Sequence, residues 1–97
     1  MTKFGKLIGI EKPVLIDFFF DLEESDGAIE TLRGVAVALG EKAKVIKIDI
    51  RKNEELAEAL KVKGTPTFMI FKNGKIQWRQ TGIQDANTLI DLMQQYI

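Results

Sequence analysis

Gly64-Thr65-Pro66-Thr67-Phe68-Met69-Ile70-Phe71-Lys72-Asn73-Gly74-Lys75 is the stretch whose reading decides the fold. Behind its proline, Thr67-Phe68-Met69-Ile70-Phe71 is rich in β-branched and aromatic residues and predicts a strand. Asn73-Gly74 accepts the positive φ angles of a type I′ turn, so the chain is expected to return antiparallel over residues 76–81. Working back, Pro13 opens Val14-Leu15-Ile16-Asp17-Phe18-Phe19-Phe20. That near-continuous apolar run predicts a strand buried on both faces, as parallel or mixed sheets require, with all its phenylalanines in the core. Val45-Ile46-Lys47-Ile48-Asp49-Ile50 alternates and predicts another strand.

Between the strands the apolar period lengthens to three and four residues. Ala28, Ile29, Leu32, Val35, Ala36 and Leu39 mark a helix that Gly40 stops, after a polar run over residues 21–27. Asn53 is expected to cap a short helix from Glu54, with Ala57, Leu60 and Val62 turned inward. Asp85 is expected to cap the last helix, whose inner face is Leu89, Ile90, Leu92, Met93 and Tyr96. Phe4, Leu7 and Ile8 give the N-terminus a short amphipathic segment. Residues 1–97 thus read as a single α/β domain, a mixed four-stranded sheet with helices on both faces.

Composition narrows the chemistry. With 97 residues, 45% hydrophobic and 29% charged, the chain has the make-up of one soluble globular domain. Its formal net charge is zero and no basic stripe carries interleaved aromatics, so neither nucleic acid nor membrane is an expected partner. No segment approaches the roughly 20 apolar residues of a membrane span. The basic N-terminus lacks an apolar stretch of signal-peptide length, which makes the expected location cytoplasmic. Cysteine and histidine are both absent. Disulfides, thiolate metal sites and cysteine nucleophiles are thereby excluded, and so is the usual general base. No metal and no cofactor is assigned.

Several segments together resemble the thioredoxin family. Lys12-Pro13-Val14-Leu15-Ile16-Asp17-Phe18 is similar to the family's central strand with its buried acid. Gly64-Thr65-Pro66-Thr67-Phe68 resembles the cis-proline loop, Phe71-Lys72-Asn73-Gly74-Lys75 the hairpin, and Gly82 the glycine before the last helix. Lys47 falls where the family places a lysine near the acid. The likeness runs from about Lys12 to the end. It implies a thioredoxin fold with a shortened N-terminus, lacking the customary first edge strand.

One departure decides what the resemblance implies for activity. The family carries Trp-Cys-Gly-Pro-Cys where its first long helix begins, and here that place is taken by Leu22-Glu23-Glu24-Ser25-Asp26. Glu23 and Asp26 stand where the sulfurs would be. A carboxylate can enjoy the helix dipole, but it can neither attack a disulfide nor resolve one. The family's protein-disulfide reductase activity is therefore not expected, and no catalytic residue is assigned.

The former motif, residues 23–26, has two readings. Asp21, Ser25 or Asp26 can cap the helix start, or the carboxylates and hydroxyl can offer hard oxygen ligands. The alternating acids and central glycine of a calcium loop are missing, so the metal reading is not adopted. Asp17 and Lys47 read as a relic pair, a buried acid with its neighbour and no reacting group left to serve. The family's substrate groove would be lined by Leu22, Thr65, Pro66, Gly82 and Ile83. The leading expectation is a non-catalytic module that binds an unknown protein or peptide there by strand addition. The alternative is structural self-association as a weak homodimer, through the bare sheet edge or through Phe20 and Trp78.

Overall fold

A computed structural model describes residues 2–20 and 22–97, with backbone alone at 22–26 and 28. Helix α1 spans Lys3–Ile8, strand β1 Val14–Phe19, helix α2 Leu22–Leu39 and strand β2 Lys44–Asp49. Helix α3 spans Glu54–Ala59, strands β3 and β4 span Thr67–Lys72 and Lys75–Thr81, and helix α4 spans Ala86–Gln94. The sheet has four strands in the order β2-β1-β3-β4. β1 pairs with β2 in parallel and with β3 antiparallel, and β3 pairs antiparallel with β4. The sheet is mixed, as expected from the buried run.

Every residue of β1 is buried, because helices cover both faces of the central strands. On one face Leu15, Phe68 and Ile70 pack against Leu32, Val35 and Leu39 of α2 and Leu89 and Met93 of α4. On the other, Val14, Ile16, Phe18, Met69 and Phe71 pack with Ile8, and Phe4, Leu56, Leu60 and Val62 close the rim. Full burial of each such side chain contributes about 1.5–3 kcal/mol. The ring of Phe4 meets Phe71 edge-on at 5.5 Å. Asn73 and Gly74 take φ of 54° and 80°, as a type I′ turn requires. Their N–H groups donate to the carbonyls of Ile10 and Ile8, which ties the tail of α1 to the hairpin.

Some local expectations are corrected. β1 ends at Phe19, and Phe20 is 47% exposed rather than in the core. The helix after β1 begins at Leu22, so the polar run from 22 to 27 forms its first turns. Asn53 sits at the N-cap of α3 without capping it. Its side-chain amide donates to the Asp49 carbonyl at 2.9 Å, which braces the preceding turn instead. Trp78 pairs with Ile70 across the hairpin and packs, partly buried, on the α2–α4 core. A register shift between Ile70 and Phe71 sets that pairing.

Asp85 does cap α4, accepting from the Thr88 N–H at 2.7 Å. The backbone and side-chain hydrogen bonds from Thr88 hold its carboxyl below the ordinary value of 3.8. A carboxyl lowered in the folded state adds stability above its unfolded pKa and loses it as pH falls through the folded one. Asp85→Ala is therefore expected to lower the melting temperature at neutral pH. Melting scans should find the gap to wild type narrowing below pH 3.8.

Candidate functional site

The C-terminal ends of the parallel strands β1 and β2 meet the start of β3 and the end of β4 at one end of the sheet. Phe18 lies opposite Thr67, and Thr67 opposite Thr81. This is where an open α/β sheet ordinarily takes its ligands. The loop into β3 carries a cis peptide bond between Thr65 and Pro66. Thr65 is half-buried and Pro66 is buried.

The loop is laced to its neighbours. The Gly82 N–H donates to the Pro66 carbonyl at 2.8 Å. The Thr67 hydroxyl donates to the Gly64 carbonyl and lies 3.1 Å from the Thr81 hydroxyl. A Cβ at Gly64 would stand 2.9 Å from the Thr81 methyl, so this position requires glycine. The structure thus brings Thr65, Pro66 and Gly82 together, and Ile83 follows with 89% of its surface exposed. Leu22, Glu23, Glu24, Ser25 and Asp26, like Asp21, lie outside the residues whose side chains are described.

Beside this loop lies a groove of about 380 Å³ that was not anticipated from the sequence. Phe20, Ile50, Ala57 and Val62 give it apolar walls, and Lys61 and Lys63 lead from it toward Gly64. The Arg51 guanidinium lies over the Phe20 ring at 5.3 Å. Arg51 also donates its backbone N–H to Asp49 at 2.8 Å, and its side chain pairs with the same carboxylate at 3.5 Å. Burial pushes the Asp49 carboxyl up, but those bonds outweigh it and hold the group below its ordinary value. The exposed end of the phenylalanine run is the sequence signal for this groove, since an aromatic one step past a strand end has no core to enter.

The two members of the expected pair, Asp17 and Lys47, are register partners but differ in burial. Asp17 is fully buried on the α2 side of β1, flanked in register by Phe68 on β3 and Lys47 on β2. Lys47 is exposed, however, with its ammonium 6.0 Å from the centre of the Phe19 ring. A long flexible side chain on an edge strand reaches solvent at little cost, whereas burying an ammonium is expensive. Among the described residues there is no cluster of His, Cys, Asp and Glu suited to a metal ion, and no helix long and apolar enough to cross a membrane.

Comparison with known proteins agrees with this architecture. A family model described as Thioredoxin matches residues 2–95. The chloroplastic thioredoxin Y of Oryza sativa is 41% identical over 82% of this chain, which spans 48% of that protein's length. The thioredoxin-like protein slr0233 of Synechocystis is 32% identical over 94% of this chain and 88% of its own length. A solved mutant thioredoxin of Halobacterium salinarum superposes with a TM-score of 0.79 at 33% identity, covering 99% of this chain and 84% of that one.

Proposed function

This chain belongs to the thioredoxin family yet has no cysteine, and from these two facts we propose that it is a redox-inactive member that holds an extended segment of a partner protein at the cis-proline loop. The observation that carries the reading is the exposure at that end of the sheet. Ile83 is 89% exposed and Phe20 47%, next to a loop whose Pro66 carbonyl accepts from the Gly82 N–H. Apolar side chains concentrated at one end of a sheet, over half-buried backbone, suit a strand-like ligand. Its main chain would run beside Thr65, and its side chains would reach Ile83.

The contribution of thiol chemistry to such binding is nil. Family members that exchange disulfides hold their substrates briefly, between attack and resolution. Without sulfur no covalent step follows, so residence depends on contacts alone, and a groove of this size supports a modest interface.

The test uses the protein as bait in a lysate of its source. Ile83→Glu places a charge at a position already in solvent, so the fold is not at risk. Recovery of the captured protein is expected to fall by about tenfold, the effect of losing 1.4 kcal/mol. Unchanged recovery with Ile83→Glu and with Pro66→Ala would exclude this groove.

A further inference from the structure

The strand order leaves β2 on the rim of the sheet. Lys44 and Ile50 donate their N–H groups to Pro13 and Phe19 on β1, both at 3.0 Å. In the parallel register between those points, even-numbered residues of β2 turn their backbone toward β1. Val45 and Lys47 consequently aim theirs outward. Helix α1 is tied to the β3–β4 hairpin through Ile8 and Ile10, and the residues that follow it approach β2 only at its start, beside Ala43 and Lys44. Outward backbone on an edge is a template for one more strand.

What surrounds that edge gives the added strand a chemistry. A groove of about 230 Å³ runs between α2 and β2, floored by Ile29, Leu32, Ala36 and Val45. Its charged lining is all of one sign, Arg33 and Lys47. Exposed Lys44 opens the strand on the other face, so Arg33 and Lys47 are the cations of the α2 side. On the opposite face of β2, Ile46 and Ile48 are only half-buried. A second copy meeting this edge would set Arg33 and Lys47 against their own duplicates, and like charges across strands are destabilising. Lysines on edges guard against such self-pairing.

We propose that the β2 edge is a second docking site, which takes an extended acidic segment of a partner protein with carboxylate and apolar side chains in alternation. The segment pairs with the outward backbone of Val45 and Lys47. Successive side chains then fall on opposite faces. Its carboxylates lie on the α2 side beside Arg33 and Lys47, with their methylenes on the groove floor. Its apolar residues cover Ile46 and Ile48. This site is separate from the cis-proline loop and does not depend on it.

The test is an amide NMR titration of the whole chain with a short capped peptide of alternating valine and glutamate. Two control peptides carry lysine for glutamate, or N-methyl groups on alternate backbone nitrogens. The Val45 and Lys47 amides are expected to shift, with the glutamate peptide favoured over the lysine peptide by about tenfold or more. N-methylation should abolish binding, and the doubly reversed variant Arg33→Glu, Lys47→Glu should prefer the lysine peptide. Shifts confined to Thr65, Gly82 and Ile83, or equal affinity for the charged peptides, would overturn the proposal. So would a dimer in sedimentation without peptide whose formation shifts Val45 and Lys47, since that assigns the edge to a second copy.

Discussion

Mixed with insulin and a small dithiol, the purified protein is expected to reduce insulin no faster than the dithiol alone, whereas the same chain carrying Glu23→Cys and Asp26→Cys should exceed that blank by about tenfold or more. The first half follows from composition. Disulfide exchange needs a thiolate to attack and a second thiol to resolve, and no side chain of this protein supplies either. Insulin reduction above the blank, with contaminating reductases removed, would end the redox-inactive reading.

The second half follows from backbone. α2 begins at Leu22, so positions 23 and 26 fall in its first turn, three residues apart on one side of the helix. A thiol there lies in the positive field of the helix start, which lowers its pKa and raises the thiolate fraction. Leu22 and Ser25 remain where the resembled motif has tryptophan and proline, so the rate should stay below that of a full family member. The single variant Glu23→Cys should capture a substrate as a mixed disulfide without turning over, because nothing resolves it.

Local chemistry made much of this fold legible. Asn73-Gly74 determined the hairpin, Asp85 the start of α4, and the unbroken apolar run of β1 its central place in a mixed sheet. Legibility failed where a distant partner outcompeted a local preference. Asn53 is a good cap by type, yet its amide found the Asp49 carbonyl across the turn. Phe20 continues an apolar run but lies past the last strand pairing, where Arg51 from the β2–α3 turn covers its ring. Arg79 on β4 donates to the carbonyls of Leu60 and Lys61, clamping the end of α3 from eighteen or more residues away in sequence. No window-based reading contains such a bond.

The site divides along the same line. Thr65, Pro66 and Gly82 were readable through the family resemblance of their segments, and the structure links Pro66 to Gly82 by a backbone hydrogen bond. The neighbouring groove was not, since Phe20, Ile50, Ala57 and Val62 come from three separate stretches of chain. The exposure of Lys47 was hidden for another reason. Sequence position gave its register beside Asp17, but a register does not say whether a long side chain points its charge inward or to water.

Asp17 carries the other large expected effect. Its side chain is 0% exposed, on a strand buried along its whole length, between Leu15 and Phe19 on the same face. Moving a carboxylate into such surroundings costs several kcal/mol before its contacts return anything, and buried ionic groups replaced by well-fitting neutral ones often leave a protein more stable. Asp17→Asn keeps the size of the side chain and a carbonyl acceptor for the contacts it has, while discarding the charge. Denaturant unfolding should show a gain of about 1–3 kcal/mol. Lys47→Met, by contrast, should move stability by no more than about 0.5 kcal/mol, because that ammonium is in solvent over an aromatic ring. A loss on Asp17→Asn, or a large loss on Lys47→Met, would mean that the charge at position 17 supports the fold. In a protein that moves no proton to or from a thiol, a costly buried acid retained without that benefit fits descent from a redox enzyme better than a present chemical task.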